Sequence, residues 1–282
     1  MKKVKIVSDS TCDLSPELIE QYQIALVPLT VTLGTESFAD GITVHPEDLY
    51  AYYNVHKTLP KTAAPTPLDF QTEFEKWTSQ DYEIVCFTIS SEFSSSFVNA
   101  RLAASELNGV YVVDSRNLST GVGLQVLRAA EWARDGVSAE EIAARLEDLR
   151  TRVEASFIIN TLEFLWKGGR CSGVAALGAN VLRLKPCIDV ADGRMVVGKK
   201  LRGDLSSCIE TYVRTRLENR TDLDLSRIFI THSGMTDPQM IEIARKAVEA
   251  AQHFDEILVT HANCTVCTHC GPNTIGVLFI RK

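Results

Sequence analysis

The residues best suited to chemistry lie in three places. The stretch Ile89-Ser90-Ser91-Glu92-Phe93-Ser94-Ser95-Ser96-Phe97 crowds serines between a strand pattern and a helix pattern. A helix start leaves backbone N–H groups free, and hydroxyls beside them complete an anion site. One serine would suffice for an ordinary N-cap. Lys61-Thr62-Ala63-Ala64-Pro65-Thr66-Pro67 is a proline-stiffened loop that caps the next helix through Thr66. Cys264-x-x-Cys267-x-x-Cys270, with His261 and His269, offers residue types that hold zinc or an iron–sulfur cluster. A metal- or thiol-dependent enzyme built on that cluster is therefore the alternative function. No second CxxC pair stands at zinc-ribbon spacing, and reduced loop thiols are the ordinary alternative.

Ser94 and His269 could form a hydrolase pair, but a nucleophile elbow reads G-x-S-x-G and this turn does not. Neither G-x-x-x-x-G-K-[ST] nor G-x-G-x-x-G follows a strand pattern, so nucleotide binding has no motif.

The elements that must position these residues alternate. Val4 to Val7 is a short strand ending at Ser8-Asp9-Ser10-Thr11, with Ser15 capping a helix that has Pro16 in its first turn. Ile24 to Leu33 alternates as extended structure, and Pro28 makes it an edge or bent strand. A helix runs from Pro46 to about Lys57, and Thr58 to Pro67 is loop. Glu83 to Ile89 and Val110 to Val113 are strands, with a helix from Phe97 to Leu107 between them. Helices follow near Thr120 to Arg134 and Ser138 to Thr151. Such alternation predicts a mostly parallel sheet with helices on both faces, whose ligands bind beyond the carboxyl ends of the strands. The hydroxyl-rich turns after Val7, Ile89 and Val113 share that edge.

The second half changes character. Strands near Ser156 to Ile159, Pro186 to Val190, Met195 to Leu201, Arg227 to Thr231, Glu256 to Thr260 and Ile275 to Ile280 include a hairpin at Ala191-Asp192-Gly193-Arg194. Asp204 caps one helix and Thr236-Asp237-Pro238 starts another. This is an α/β domain with a mixed sheet. The expected division is residues 1–152 and 153–282.

Length and composition agree. The 282 residues suggest about two domains. A net charge of -7 without a basic run makes nucleic acid a poor partner. The strongly apolar stretch from Ile24 is broken by Thr30 and Thr32, so it falls short of the roughly 18 residues a membrane helix needs. Lys2, Lys3 and Lys5 precede only a short apolar run, which does not resemble a secretory signal. The expected location is cytoplasmic. Eight cysteines are then reduced thiols. Cys12, Cys86, Cys171, Cys187 and Cys208 are scattered and suit buried small hydrophobes.

Taken in order, the motifs resemble those of the DegV family, the fatty-acid-binding subunits of bacterial fatty acid kinase. The resemblance covers nearly the whole chain. It is carried by Ile6-Val7-Ser8-Asp9-Ser10-Thr11-Cys12-Asp13-Leu14, Thr62 to Thr66, Ile89-Ser90-Ser91 with Ser94 to Ala100, Val112-Val113-Asp114-Ser115, Gly121-x-Gly123, Gly168-Gly169-Arg170 and His269-Cys270-Gly271-Pro272. It departs where Ala63 replaces the family's usual serine, Ser95 its glycine and Asn273 the glycine after Pro272. Asn tolerates left-handed backbone.

The resemblance implies a long-chain fatty acid between the domains, with its carboxylate on Thr62, Ser94, His269 and the backbone N–H around Ser95. It implies no other cofactor. A separate ATP-using kinase would phosphorylate the presented acid, whose acyl phosphate enters phospholipid synthesis. The chain itself would be a substrate-presenting subunit rather than an enzyme. Arg170 and Arg202 would face the kinase or the incoming phosphate. No integral membrane segment is expected, and transient contact with a membrane surface is compatible with such a role.

An acyl tail of about 15 methylenes at about 0.8 kcal/mol each has a ceiling on the order of 12 kcal/mol, before binding costs. That demands a deep apolar tunnel. Ile159, Phe164, Leu165, Leu177, Val181, Leu182 and Ile188 are candidate lining residues, although any one of them suits ordinary core equally well.

Overall fold

The computed structural model describes residues 2–171 and 184–282. The strands of the first half are β1 (Lys3–Asp9), β2 (Ala25–Val27), β3 (Thr30–Leu33), β4 (Glu36–Ala39), β5 (Lys61–Ala63), β6 (Tyr82–Thr88) and β7 (Val110–Asp114). Four of them form a wholly parallel sheet in the order β2-β1-β6-β7. Its central strands are covered on both faces, and alternate residues choose the face. Ile84 and Cys86 face helices Pro67–Thr78 and Ser96–Ala104, meeting Phe70, Phe74, Ala100 and Ala103. Val85 and Phe87 face helices Thr120–Arg134 and Ala139–Arg152.

The second half supplies β8 (Val153–Ile158), β9 (Leu184–Ala191), β10 (Arg194–Arg202), β11 (Leu223–His232), β12 (Glu256–His261) and β13 (Ile275–Arg281). They make one mixed sheet in the order β10-β9-β8-β13-β11-β12, in which only β11 and β12 run parallel. Helices Leu205–Leu217 and Gln239–Ala251 cover one face through Ile209, Tyr212, Val213, Ala244 and Val248. The opposite face sends Phe229, Leu278 and Ile280 into the same core cluster as helix Thr120–Arg134. That helix is consequently shared between the two sheets. The boundary proposed at Arg152 lies between helix Ala139–Arg152 and β8.

Three expectations need correction. Ile24 to Leu33 is not one strand. Pro28 and Leu29 separate β2, an edge of the parallel sheet, from β3, which joins an antiparallel sheet in the order β4-β3-β5. The stretch Thr58 to Pro67 is not all loop, because Lys61–Ala63 pairs with β3 and places Thr62 opposite Val31. The cysteine cluster is not a loop either. Cys264–Cys270 is a short helix, and its spacing by three turns all three thiols toward core.

Candidate functional site

Beyond the carboxyl ends of the parallel strands, where the two sheets meet, lies a cavity of about 610 Å³. That falls within the roughly 300–1,000 Å³ typical of small-molecule sites. Both halves of the chain line it. Thr62, Ala63, Ala64, Ser94 and Ser95 come from the first half, and Arg170, Met195, Val266 and His269 from the second. Thr62, Ser94, Ser95, Arg170 and His269 supply polar groups to it, while Leu29, Ile89, Phe93, Leu118, Met195 and Val266 supply apolar wall.

Thr62 Oγ1 lies 3.2 Å from His269 Nε2. Ser94 Oγ accepts the Ser96 N–H at 3.2 Å and lies 2.9 Å from Ser96 Oγ. Ser95 is the N-cap of helix Ser96–Ala104, and its side chain makes no cap bond. Apart from the Ser96 N–H that Ser94 takes, the first-turn N–H groups have no cap bond from Ser95. Its φ of -76° is unstrained, so serine fits where the resemblance leads one to expect glycine. Asn273 has φ 59°, the left-handed conformation that asparagine tolerates.

The serine turn is held from beneath. Asp9 Oδ2 accepts the Ile89 N–H at 2.9 Å, and Asp114 accepts the Ser91 N–H at 3.1 Å and its hydroxyl at 2.6 Å. Ser90 Oγ donates to the Gly193 carbonyl at 2.8 Å, which docks the β9–β10 hairpin on the turn. A Cβ at Gly193, whose φ is +78°, would stand 2.6 Å from that hydroxyl. Asn99 Nδ2 donates to the Pro65 carbonyl at 2.8 Å and ties the Thr62 segment to the same helix. Glu92 at the rim is paired with Arg194 at 2.8 Å and Arg116 at 3.5 Å, so no bare negative charge adjoins the cradle.

Burial pushes the His269 imidazole down to about 4; Arg170 pushes the same way and the Gly168 backbone opposes. The ring is therefore neutral at pH 7. A Cβ on Gly168 would stand 2.6 Å from His269 Nδ1, so the glycine turn before Arg170 is what admits the ring.

The structure thus brings Thr62, Ser94, Ser95, His269 and Arg170 to one cavity. It does not bring Arg202 there. Arg202 ends β10 opposite Leu184 and lies outside the cavity wall. Of the candidate tail contacts, Ile159, Leu165 and Ile188 sit in the core cluster that backs the wall through Ile89, Leu118, Met195 and Cys270. Phe164 packs on Tyr53 at 4.7 Å between ring centroids. Leu177, Val181 and Leu182 lie outside the described residues. The actual wall residues Leu29, Ile89, Phe93, Leu118, Met195 and Val266 come from five separate stretches of sequence, and no periodicity marks them.

Cys264, Cys267 and Cys270 are buried, and desolvation pushes each thiol up, Cys270 to about 12. Among the described residues no three His, Cys, Asp or Glu side chains converge as a metal would require. Among them, too, no helix is long and apolar enough to cross a membrane.

A family model described as "Uncharacterised protein, DegV family" matches residues 3–282. A DegV domain-containing protein of Clostridium perfringens is 35% identical, with 100% of both chains covered. Among solved structures, a DegV family protein from Thermus thermophilus described as binding fatty acid superposes with a TM-score of 0.90. It is 31% identical, covering 99% of this chain and 100% of that one. A stearic-acid-binding protein from Eubacterium ventriosum gives a TM-score of 0.84 at 26% identity, covering 99% of this chain and 98% of that one.

Proposed function

Since the chain belongs to the DegV family, we propose that it binds a long-chain fatty acid in the cavity between its two domains. The observation that carries this is one cavity lined from both halves by hydroxyls, an imidazole and apolar side chains, with Thr62 and His269 in contact across it. The solved relatives described as binding fatty acids support it.

In this reading the carboxylate displaces the Thr62–His269 contact and takes donors from Thr62, Ser94, His269 and the N–H groups around Ser95. Bonds to a charged acceptor are roughly twice as strong as neutral ones and fix the head group's orientation. The tail supplies the affinity by leaving water, and the head group chooses an acid over an alcohol.

The finer part of the proposal is that a separate ATP-using kinase phosphorylates the held acid. A carboxylate oxygen would attack the γ-phosphorus, ADP would leave, and the acyl phosphate would serve phospholipid synthesis. The chain then presents substrate rather than catalysing, and works in the cytoplasm. Arg170 is exposed and lines the cavity, and in this reading it would meet the incoming phosphate. Calorimetry with ATP alone is expected to give no signal, and micromolar binding would favour a self-contained enzyme.

The direct test is mass spectrometry of extracts from denatured, purified protein. An acyl chain at near-stoichiometric amount is expected. No lipid, together with no uptake of added oleate, overturns the proposal.

A further inference from the structure

Asp9, Asp13 and Asp40 are sealed from solvent where the two halves meet. Their hydrogen-bond partners are hydroxyls and backbone N–H groups, and Asp9 and Asp13 each feel the negative charge of Asp40. Burying charge without a counter-ion is costly unless every oxygen is well bonded. Asp9 is explained by its grip on the serine turn. The other two reach across to the opposite domain.

Asp13 Oδ1 accepts the Asn263 N–H at 2.8 Å, while its Oδ2 accepts the Ser119 hydroxyl at 2.6 Å. Asp40 Oδ1 accepts the Thr265 N–H at 3.2 Å, and its Oδ2 accepts the Ser10 hydroxyl at 2.9 Å. Asn263 Nδ2 donates to the Ser10 carbonyl at 3.0 Å and completes the junction. Asn263 is the N-cap of helix Cys264–Cys270 and Thr265 lies in its first turn. That helix makes no side-chain cap bond of its own and carries His269. Two carboxylates of the other domain therefore satisfy the N–H groups at its positive end.

The same small sheet carries the other half of the cradle. Asp40 directly follows β4, and its N–H donates to the Leu29 carbonyl at 2.9 Å. Thr62 sits on β5, one strand away across β3. One rigid unit thus presents both the hydroxyl that meets His269 and a carboxylate that seats the His269 helix.

We propose that Asp13 and Asp40 are positioning residues for carboxylate recognition: they hold the first turn of Cys264–Cys270 from the opposite domain and so set His269 against Thr62. The inference rests on the fatty-acid reading only for its binding readout.

The test is a cycle of Asp40→Ala and His269→Ala, read by oleate and oleyl alcohol binding and by the His269 ring resonances in ligand-free protein. Asp40→Ala is expected to weaken oleate by about tenfold in the wild-type background and by under about twofold in the His269→Ala background, as for a lost bond to a charged group acting through His269. Oleyl alcohol binding stays unchanged, and Asp40→Asn, which keeps an acceptor for Thr265, restores most of the loss. The His269 resonances move in Asp40→Ala and return in Asp40→Asn. Equal losses in both backgrounds, or unmoved resonances, overturn the inference. Should Asp40→Ala not fold, Asp13→Ala, with Asp13→Asn as its conservative rescue, replaces it in the same cycle under the same criteria. Wild-type protein that ignores oleate while the resonances still move counts against the ligand and leaves the positioning role supported.

Discussion

Thr62 and His269 stand 207 positions apart in sequence, yet their Oγ1 and Nε2 atoms meet at 3.2 Å. Neither domain alone can form that contact, so this part of the cavity exists only when the halves are docked. Thr62→Val and Ser94→Ala each remove one donor to a charged acceptor. Each is expected to weaken oleate binding by about 1.5–3 kcal/mol while sparing oleyl alcohol, as read by calorimetric titration. Unchanged oleate affinity in either variant removes that residue from the site.

The neutral imidazole has a stability signature. His269 titrates near 4 in the folded chain against an ordinary 6.5. An unfolded imidazole takes up its proton first as pH falls. The contribution to stability is thus complete above 6.5 and is lost as pH falls through 4. His232, also lowered to about 4, acts in the same direction. Asp9, raised to about 6, acts oppositely, and both remain in either protein. Urea midpoints of His269→Gln should therefore fall less steeply with acidification between pH 6.5 and 4, by at most about 1.4 kcal/mol per pH unit. Parallel profiles would mean the ring is not held neutral.

Gly168 is predicted to be intolerant for a reason local to the site. An added Cβ would lie 2.6 Å from His269 Nδ1 and 3.4 Å from its Cγ, so Gly168→Ala must turn the ring away from Thr62. Oleate binding should weaken roughly tenfold, the cost of one lost bond to a charged group, with oleyl alcohol again unaffected. Full oleate affinity in Gly168→Ala would show that the ring position is not needed.

Much of this was legible in the chain. The serine turn, the Thr66 cap and the Asp204 cap are local signals, and local hydrogen bonds formed them. Long helices such as Thr120–Arg134 were readable because many residues share one periodic demand. The small sheet was not readable. Lys61–Ala63 has only three residues, too few for an alternation, and its strand character comes from pairing with Thr30–Leu33. The role of Asp13 and Asp40 was equally hidden, because their partners Asn263 and Thr265 lie more than two hundred positions away. Gly168 stood in a recognised glycine turn, but the close approach that requires it depends on His269.

The path proposed for the tail can be probed at Val266. Leu118, Val266 and Cys270 line both the main cavity and a smaller void of about 30 Å³ that also touches Phe157 and Gly276. That void holds about one water's volume, so a tail directed toward it would end near Val266 or push past it. If the proposed tail reaches Val266, Val266→Phe should displace about two methylenes of it, roughly 1.6 kcal/mol at about 0.8 kcal/mol each. The loss should appear for octadecanoate and be absent for octanoate, whose tail stops short of Val266. Competition titrations across a series of saturated acids would give the chain length at which the penalty begins. No penalty for any acid would place the tail elsewhere, because only a chain that reaches Val266 can feel the added ring.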